Sequence, residues 1–294
     1  MISQHLPGFT GSTLDRADLV RTNPEQLGAM MGSLSARLLA LDGIDPVLDA
    51  DGMLVWISLA EADPASELIF LGLIDGKPRF AEVRPDLPDG VERSNAIFRM
   101  LGLMPPGEAG TYAAARSLID WHVRHGFCAR CGTPTAMFRG GWGRKCDACN
   151  AEHYPRVDPV VIMLAEFDGR VLVGRQPRYP AGRYSALAGF LEPGESLEEA
   201  VARELFEEAG LRASNVRYVV SQPWPFPSSL MMACVADVDS AELTIDYTEL
   251  EDAIWVTREE VQASLDGDPD APFLPPPPYA IAYTLFQRWL EGAD

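Results

Sequence analysis

Carboxylates and a single arginine recur at fixed offsets between Gly189 and Leu211, in the stretch GFLEPGESLEEAVARELFEEAGL. Gly189 is followed after five residues by Glu195, and after seven more by Arg203-Glu204-Leu205-Phe206-Glu207-Glu208-Ala209-Gly210-Leu211. Glu204 and Glu208 lie four residues apart, so on a helix they stack one turn above the other. Two carboxylates placed in this way suit a hard divalent cation, which takes oxygen ligands and is commonly shared with phosphate groups. The chemistry such a set can do is hydrolysis: a cation offsets phosphate charge and acidifies a water, and a nearby glutamate accepts the proton.

The element that positions these groups must be a helix. Ser196 followed three residues later by Glu199 is a capping box, so the helix starts near Leu197. Gly210 is its natural stop. At about 100° per residue, Leu197, Ala200, Val201 and Leu205 form one apolar stripe, and Glu204 and Glu208 fall inside it. Buried like charges are unfavourable without a positive partner. Arg203 and Glu207, spaced i, i+4, form a second pair. An amphipathic helix with a solvated acidic face is the alternative, and the inward placement of the acids argues against it.

These residues match, position by position, the pattern G-x5-E-x7-R-E-U-x-E-E-x-G-U with U apolar, and the segment resembles the Nudix box. The resemblance implies cleavage of a nucleoside diphosphate linked to a further group, by metal-assisted attack of water on a phosphoanhydride.

The 294-residue chain is 47% apolar, enough for a real core, and carries 43 acidic against 24 basic residues, a formal charge of −19. That balance does not suit a protein living on nucleic-acid backbones or anionic membranes. The start, MISQHLPGFTGSTLDRADLV, lacks a basic region followed by an apolar run, and no apolar stretch approaches a membrane span of roughly 18 residues. A soluble cytoplasmic protein with no membrane partner is expected. Four of five cysteines form the pairs Cys128-x2-Cys131 and Cys146-x2-Cys149. Four thiolates from two knuckles suit a closed, structural Zn²⁺. Two disulfides or a redox C-x-x-C are the competing readings, disfavoured by a cytosolic setting and by the absence of a βαβ frame. Cys234, in an apolar run, reads as a core residue.

Along the chain, Leu54–Ile57 and Leu68–Gly72 read as short strands and Ala113–Arg124 as a helix leading into the cysteine module. Asp158–Ala165 and Arg170–Gly174 form a hairpin around Asp168-Gly169. Further strands are expected at Ala186–Gly189, Val216–Val220, Leu230–Ala236 and Ala253–Val256, a loop at Ser264–Pro272 and a last helix at Tyr279–Glu291. The expectation is an α/β fold: a Nudix α/β/α sandwich at 155–294, preceded by a four-Cys zinc ribbon at 126–154 and a smaller α+β, Nudix-like domain at 1–125.

A second motif bears on the substrate. Ser221-Gln222-Pro223-Trp224-Pro225-Phe226-Pro227-Ser228-Ser229 reads as a proline-braced loop that presents Trp224 and Phe226, rings able to stack on a base. A packing corner or a polyproline ligand for another domain are the bland alternatives. With the upstream cysteines, the motif resembles the signature of the NADH pyrophosphatase (NudC-type) family of Nudix hydrolases. The likeness is specific from about 126 to 260 and over the last helix, and loose before 110. It implies a homodimer that hydrolyses NAD(H) to NMN(H) and AMP with Mg²⁺ or Mn²⁺. Carried over by position, Glu204, Glu207, Glu208 and Glu249, with the Ala188 carbonyl, hold the catalytic metal. Glu207 and Glu208 are the candidates for the base. Cys128, Cys131, Cys146 and Cys149 hold zinc. Phe190, Trp224, the loop Gln222 to Ser229, Tyr154, Arg99 and Ala282 contact the dinucleotide.

Removal of NAD caps from RNA 5′ ends uses the same bond, and a basic patch around Arg139, Arg144 and Lys145 could guide such an end. The alternatives are a Nudix enzyme for another nucleoside diphosphate derivative such as ADP-ribose, and a non-catalytic zinc-ribbon/Nudix nucleotide sensor. Against the sensor, every acid of the box is in place.

Overall fold

The structure, a computed structural model, describes residues 6–87, 95–105 and 107–292. It divides into two compact units. One comprises 9–157 together with 224–228, the other 158–223 and 229–294 with the first eight residues.

In the first unit, helices α1 (Asp18–Arg21) and α2 (Pro24–Met31) precede β1 (Arg37–Leu39), the ribbon β2 (Leu41–Asp42) and β3 (Asp45–Pro46), and β4 (Trp56–Ser58), β5 (Glu67–Ile74) and β6 (Lys77–Val83). The sheet order is β4-β1-β6-β5, with β1 and β6 parallel. Its core is Leu38, Phe70 and Phe80, the two rings 5.3 Å apart. Helices α3 (Asn95–Leu101) and α4 (Glu108–Arg124) follow, then the small sheet β7 (Ala136–Phe138), β8 (Gly143–Lys145) and β9 (Glu152–His153). The strand expected at Leu54–Ile57 lies at Trp56–Ser58, with Leu54 in an isolated bridge to Leu48.

The second unit is a six-stranded mixed sheet of β10 (Asp158–Phe167), β11 (Arg170–Arg175), β12 (Leu187–Phe190), β13 (Ala213–Trp224), β14 (Ser229–Val238) and β15 (Asp252–Thr257). Its helices are α5 (Leu197–Ala209), α6 (Arg258–Asp266) and α7 (Ile281–Glu291). The sheet period of two sorts the strand residues. Val161, Met163, Ala165, Leu172 and Cys234 face Ala200, Val201, Leu205 and Ala209 of α5. Ile162, Leu164, Val171, Val173 and Val235 face Ile281, Leu285, Phe286 and Trp289 of α7. This is the expected α/β/α sandwich, and Cys234 is the expected core residue. Asp168 and Gly169 both take positive φ, 50° and 71°, as a two-residue hairpin between β10 and β11 requires.

β10 pairs with β14 along one edge and shares the other. Ile162 faces Ala188 of β12, whereas Glu166 faces Val171 of β11. β11 then runs on to β15, with Gly174 opposite Ala253. Two differences from the sequence reading have local causes. Ser264–Asp266, expected as loop, ends α6, which a Thr257–Glu260 capping box starts and Gly267 at φ 76° stops. β13 continues through Trp224, so Ser221–Trp224 is strand; Pro223 is tolerated because β13 is an edge strand. No helix among the described residues is long and apolar enough to cross a membrane.

The first unit buries charge. Arg144 is 6% exposed and donates through Nε to the Thr135 hydroxyl (2.9 Å), through NH2 to the Thr135 carbonyl (2.7 Å) and through NH1 to Glu67 and to Nδ1 of His122 (both 3.0 Å). His122 in turn donates from Nε2 to the Gly141 carbonyl at 2.7 Å, so its ring is neutral. Burial, reinforced by Arg144, pushes the His122 pKa down to about 4, against the Gly141 bond. The unfolded ring titrates near 6.5, so between pH ~6.5 and ~4 the unfolded chain takes up a proton that the folded one refuses. This unit should therefore lose up to about 3 kcal/mol of stability as pH falls across that window. Denaturant midpoints measured from pH 7 to 4.5 should show a steeper acid loss for the wild type than for His122→Gln; equal slopes would contradict the assignment.

Candidate active site

The site grows from the seam where β12 leaves β10. β12 ends at Phe190, the turn 191–196 follows, and α5 begins under its capping box. The Ser196 hydroxyl accepts from Glu199 N at 3.3 Å, and Glu199 accepts from Ser196 N at 2.7 Å. Gly210 stops the helix at φ 72°. The next loop is tied to the helix end: Thr244 N donates to the Ala209 carbonyl (2.9 Å) and Asp246 N to the Glu208 carbonyl (3.0 Å). That loop carries Glu249, which lies on the surface.

Arg203 organises the acids. Nε donates to Glu195 at 2.6 Å and NH2 to its other oxygen at 3.0 Å; NH1 donates to Glu204 (2.8 Å) and Glu207 (2.9 Å), and NH2 also to the Phe190 carbonyl (2.9 Å). All donors of the guanidinium are used. Its pKa is raised, chiefly by Glu195. Gly189 completes the arrangement, because a Cβ there would run into the Glu204 carboxyl.

Glu204 and Glu208 are 8% and 2% exposed, as their place in the apolar stripe requires. Burial raises the Glu204 pKa, with Arg203 opposing. Burial, and then Glu204, Glu249, Asp246 and Glu207, push that of Glu208 up to about 8. Glu208 Oε2 is buried with no hydrogen-bond partner. Glu208 lines a small cleft with Gly174, Gln176, Tyr179, Ala188 and Leu250. A cleft lined by one buried glutamate with an orphaned carboxylate oxygen, crowded by further acids, fits a divalent cation, which would remove both the orphan and the like-charge repulsion.

The cysteines meet a stricter test. Their four sulfurs lie within 4.8 Å of one another, close enough to share one metal ion. Cys128–Cys149 and Cys131–Cys146 are 3.6 and 3.5 Å apart, near the ~3.8 Å edge of a tetrahedron with Zn–S of ~2.3 Å, and all are free thiols. The knuckles are alike: Gly132 N donates to the Cys128 carbonyl and Asn150 N to that of Cys146, with φ 75° and 59° at the turn residues. This is a structural zinc site and not a pair of disulfides. His153 Nε2 approaches Cys128 Sγ at 3.3 Å, a neighbour that spacing alone did not reveal.

The residues expected to contact a dinucleotide are spread over both units. In the sandwich unit Phe190 is 61% exposed and Pro223 is exposed, whereas Gln222 is fully buried, donating to the Tyr279 carbonyl at 3.1 Å. Ser229 is buried at the start of β14, and Ala282 is buried against the sheet. In the other unit Tyr154 and Arg99 are exposed, and Tyr154 donates to Glu152 at 2.6 Å. Trp224 is partly buried, Pro225 buried, Pro227 exposed and Ser228 intermediate. Phe226 is not presented. It is 5% exposed, packed against Phe9, Phe98 and Trp224 and covered by Arg116 at 4.8 Å, whose Nε donates to the Pro225 carbonyl. The basic patch also dissolves: Arg144 is buried, Arg139 pairs with Asp18 at 3.0 Å and Lys145 with Glu152 at 3.7 Å. Sequence reading missed the turn Gln176–Tyr179, whose wall of the cleft carries no motif of its own.

Gly189→Ala tests the packing of the acids. The new methyl should displace the Glu204 carboxylate from Arg203 and lower the hydrolysis expected of this site on the order of 100-fold, the scale of losing one positioned group. The thermal midpoint should move little, because the displaced carboxylate can swing into the cleft. Full activity in this variant would refute the coupling.

Three family models divide the chain: a NADH pyrophosphatase-like rudimentary NUDIX domain at 27–121, a NADH pyrophosphatase zinc ribbon domain at 124–154 and a NUDIX domain at 155–275. The chain is 40% identical over 268 residues to the human NAD-capped RNA hydrolase NUDT12, covering 87% of this chain and 54% of that protein. It thus spans about half the length of that relative. It is 37% identical over 294 residues to the NAD-capped RNA hydrolase NudC of Mycobacterium bovis, covering 94% of this chain and 92% of the relative. A NudC from Chromobacterium violaceum is 36% identical over 246 residues, 81% of this chain and 89% of the relative. Likeness of this extent, running through the cysteine module and the acid-bearing helix alike, shows that the chain belongs to the NADH pyrophosphatase (NudC-type) family of Nudix hydrolases.

Proposed function

We propose that this chain is a metal-dependent diphosphatase that hydrolyses NAD(H) to NMN(H) and AMP, and that it also removes NAD caps from RNA 5′ ends. The observation that carries the hydrolytic half is Glu208: a 2%-exposed carboxylate with an orphaned oxygen, crowded by like charges, facing a cleft. The substrate half is supported by relatives named as NAD-capped RNA hydrolases that match across both units. In this reading 155–294 is catalytic, 126–154 the zinc ribbon and 1–125 a Nudix-like partner domain. The protein is a homodimer, and its free thiols suit the reducing cytoplasm.

Glu204, Glu207, Glu208 and Glu249, with the Ala188 carbonyl, would hold Mg²⁺ or Mn²⁺. That ion, when bound, neutralises diphosphate oxygens and makes a water acidic. The side chains do the rest. Arg203 donates to Glu204 and Glu207 and fixes where their carboxylates sit. Water attacks one phosphorus, the bridging P–O bond breaks, and the proton leaves to a glutamate. Glu207 is 57% exposed at its side chain and committed to Arg203, whereas Glu208 faces the cleft, so the base role is assigned to Glu208. The exposed Phe190 ring stands at the end of β12 as a stacking surface for a base.

Purified protein with Mn²⁺ should release AMP and NMNH from NADH, and Glu208→Gln should lower kcat by about 10² to 10⁴. Chromatography of the products checks both. Absence of AMP from NADH, or equal rates in the variant, would sink the reading. Turnover of NAD-capped RNA and of ADP-ribose beside NADH ranks the substrates.

A further inference from the structure

The cleft that Glu208 lines is also bordered by the turn that follows β11. Gln176 and Tyr179 line the cleft, and Arg178 between them is exposed. The turn is rigid. Tyr179 N donates to the Gln176 carbonyl at 2.9 Å. Beneath it, Arg175 donates to the Tyr179 carbonyl (3.0 Å) and the Arg183 carbonyl (3.3 Å) and pairs with Glu251 at 2.9 Å. The Arg178 guanidinium is aimed by its neighbours: Nε donates to Gln176 Oε1 at 2.8 Å. Among the described residues Arg178 has no carboxylate partner, although the chain holds 43 acids to 24 bases.

We propose that Arg178 is a substrate-contacting residue that grips the diphosphate beside the cleft that Glu208 lines, with Gln176 as its positioning residue. With Nε held, the terminal nitrogens present a planar fork that matches two phosphate oxygens, a geometry lysine does not reproduce. A cation supplied by the chain would balance charge that builds on the phosphate released as the bridging bond breaks. Preorganisation by Gln176 and the rigid turn spares the ordering cost of a free surface arginine. This assignment rests on the diphosphatase reading above, but not on which group is attached to the diphosphate.

The test compares wild type with Arg178→Ala, Arg178→Lys and Gln176→Ala on NADH and on ADP-ribose, together with calorimetric affinities for ADP and adenosine. Arg178→Ala should lose about 100-fold in kcat/KM and bind ADP more weakly, with adenosine affinity, Mn²⁺ affinity and thermal midpoint unchanged. Arg178→Lys should recover only part, and Gln176→Ala should fall between wild type and Arg178→Ala. The proposal is overturned if Arg178→Ala matches wild type on whichever substrate the wild type cleaves, or if ADP and adenosine weaken equally. A wild type that ignores NADH but cleaves ADP-ribose would remove the NAD(H) reading and leave Arg178 to be judged on ADP-ribose.

Discussion

Glu204 and Glu208 occupy the side of α5 that also carries Val201 and Leu205, both fully buried. Carboxylates in that position cost several kcal/mol unless neutralised or paired. The surrounding structure is arranged around that cost. Arg203 offsets it for Glu204, and by spending every donor on Glu195, Glu204, Glu207 and the Phe190 carbonyl it also welds the turn before α5 to the helix. Among the described residues no hydrogen-bond donor meets Glu208 Oε2. Its carboxylate sits in the last turn of α5, where the helix dipole is itself negative, and Glu249 and Asp246 add to the field. A site held in this state has free energy to gain from binding a cation.

The sheet makes the room. Because β11 pairs with only the far end of β10 and β12 takes the near end, a cleft opens between them, floored by Gly174 and Ala188. Both core layers needed for this are made by alternation along β10, which sends Val161 and Met163 to α5 and Ile162 and Leu164 to α7. Burying α5's Val201 and Leu205 contributes about 1.5–3 kcal/mol each, which helps offset the acids on the same face.

The other unit solves a different problem. Its zinc ribbon is too small to hold a core, so thiols and one buried arginine replace it. Arg144 joins β8 to Glu67 of β5, Thr135 and His122 of α4, and burial keeps that histidine neutral. The proline-rich segment is treated likewise: Arg116 and Ser117 of α4 hold the carbonyls of Pro225 and Pro227, and Phe226 turns inward.

The sequence by itself determined what depends on near neighbours. Ser196 and Glu199 mark the start of α5 and Gly210 its end, and a period of about 3.6 places Glu204 and Glu208 on the buried face. Two C-x-x-C knuckles bring four thiols to one point. The Thr257–Glu260 box that starts α6 is just as local but is absent from the sequence reading, which expected a loop at Ser264–Pro272. What only the tertiary structure decided involves partners far along the chain. Phe226 is buried because Arg116, 110 residues earlier, lies over it. Arg144 is buried because Glu67 and His122 come to meet it. Gln222 faces inward because the carbonyl it needs is at Tyr279. The Gln176–Tyr179 turn carries no motif, yet it walls the cleft because β11 and β12 part there. Short-range hydrogen bonds and periodicity are written in adjacent residues, whereas which polar group finds which distant partner is set only when the sheets close.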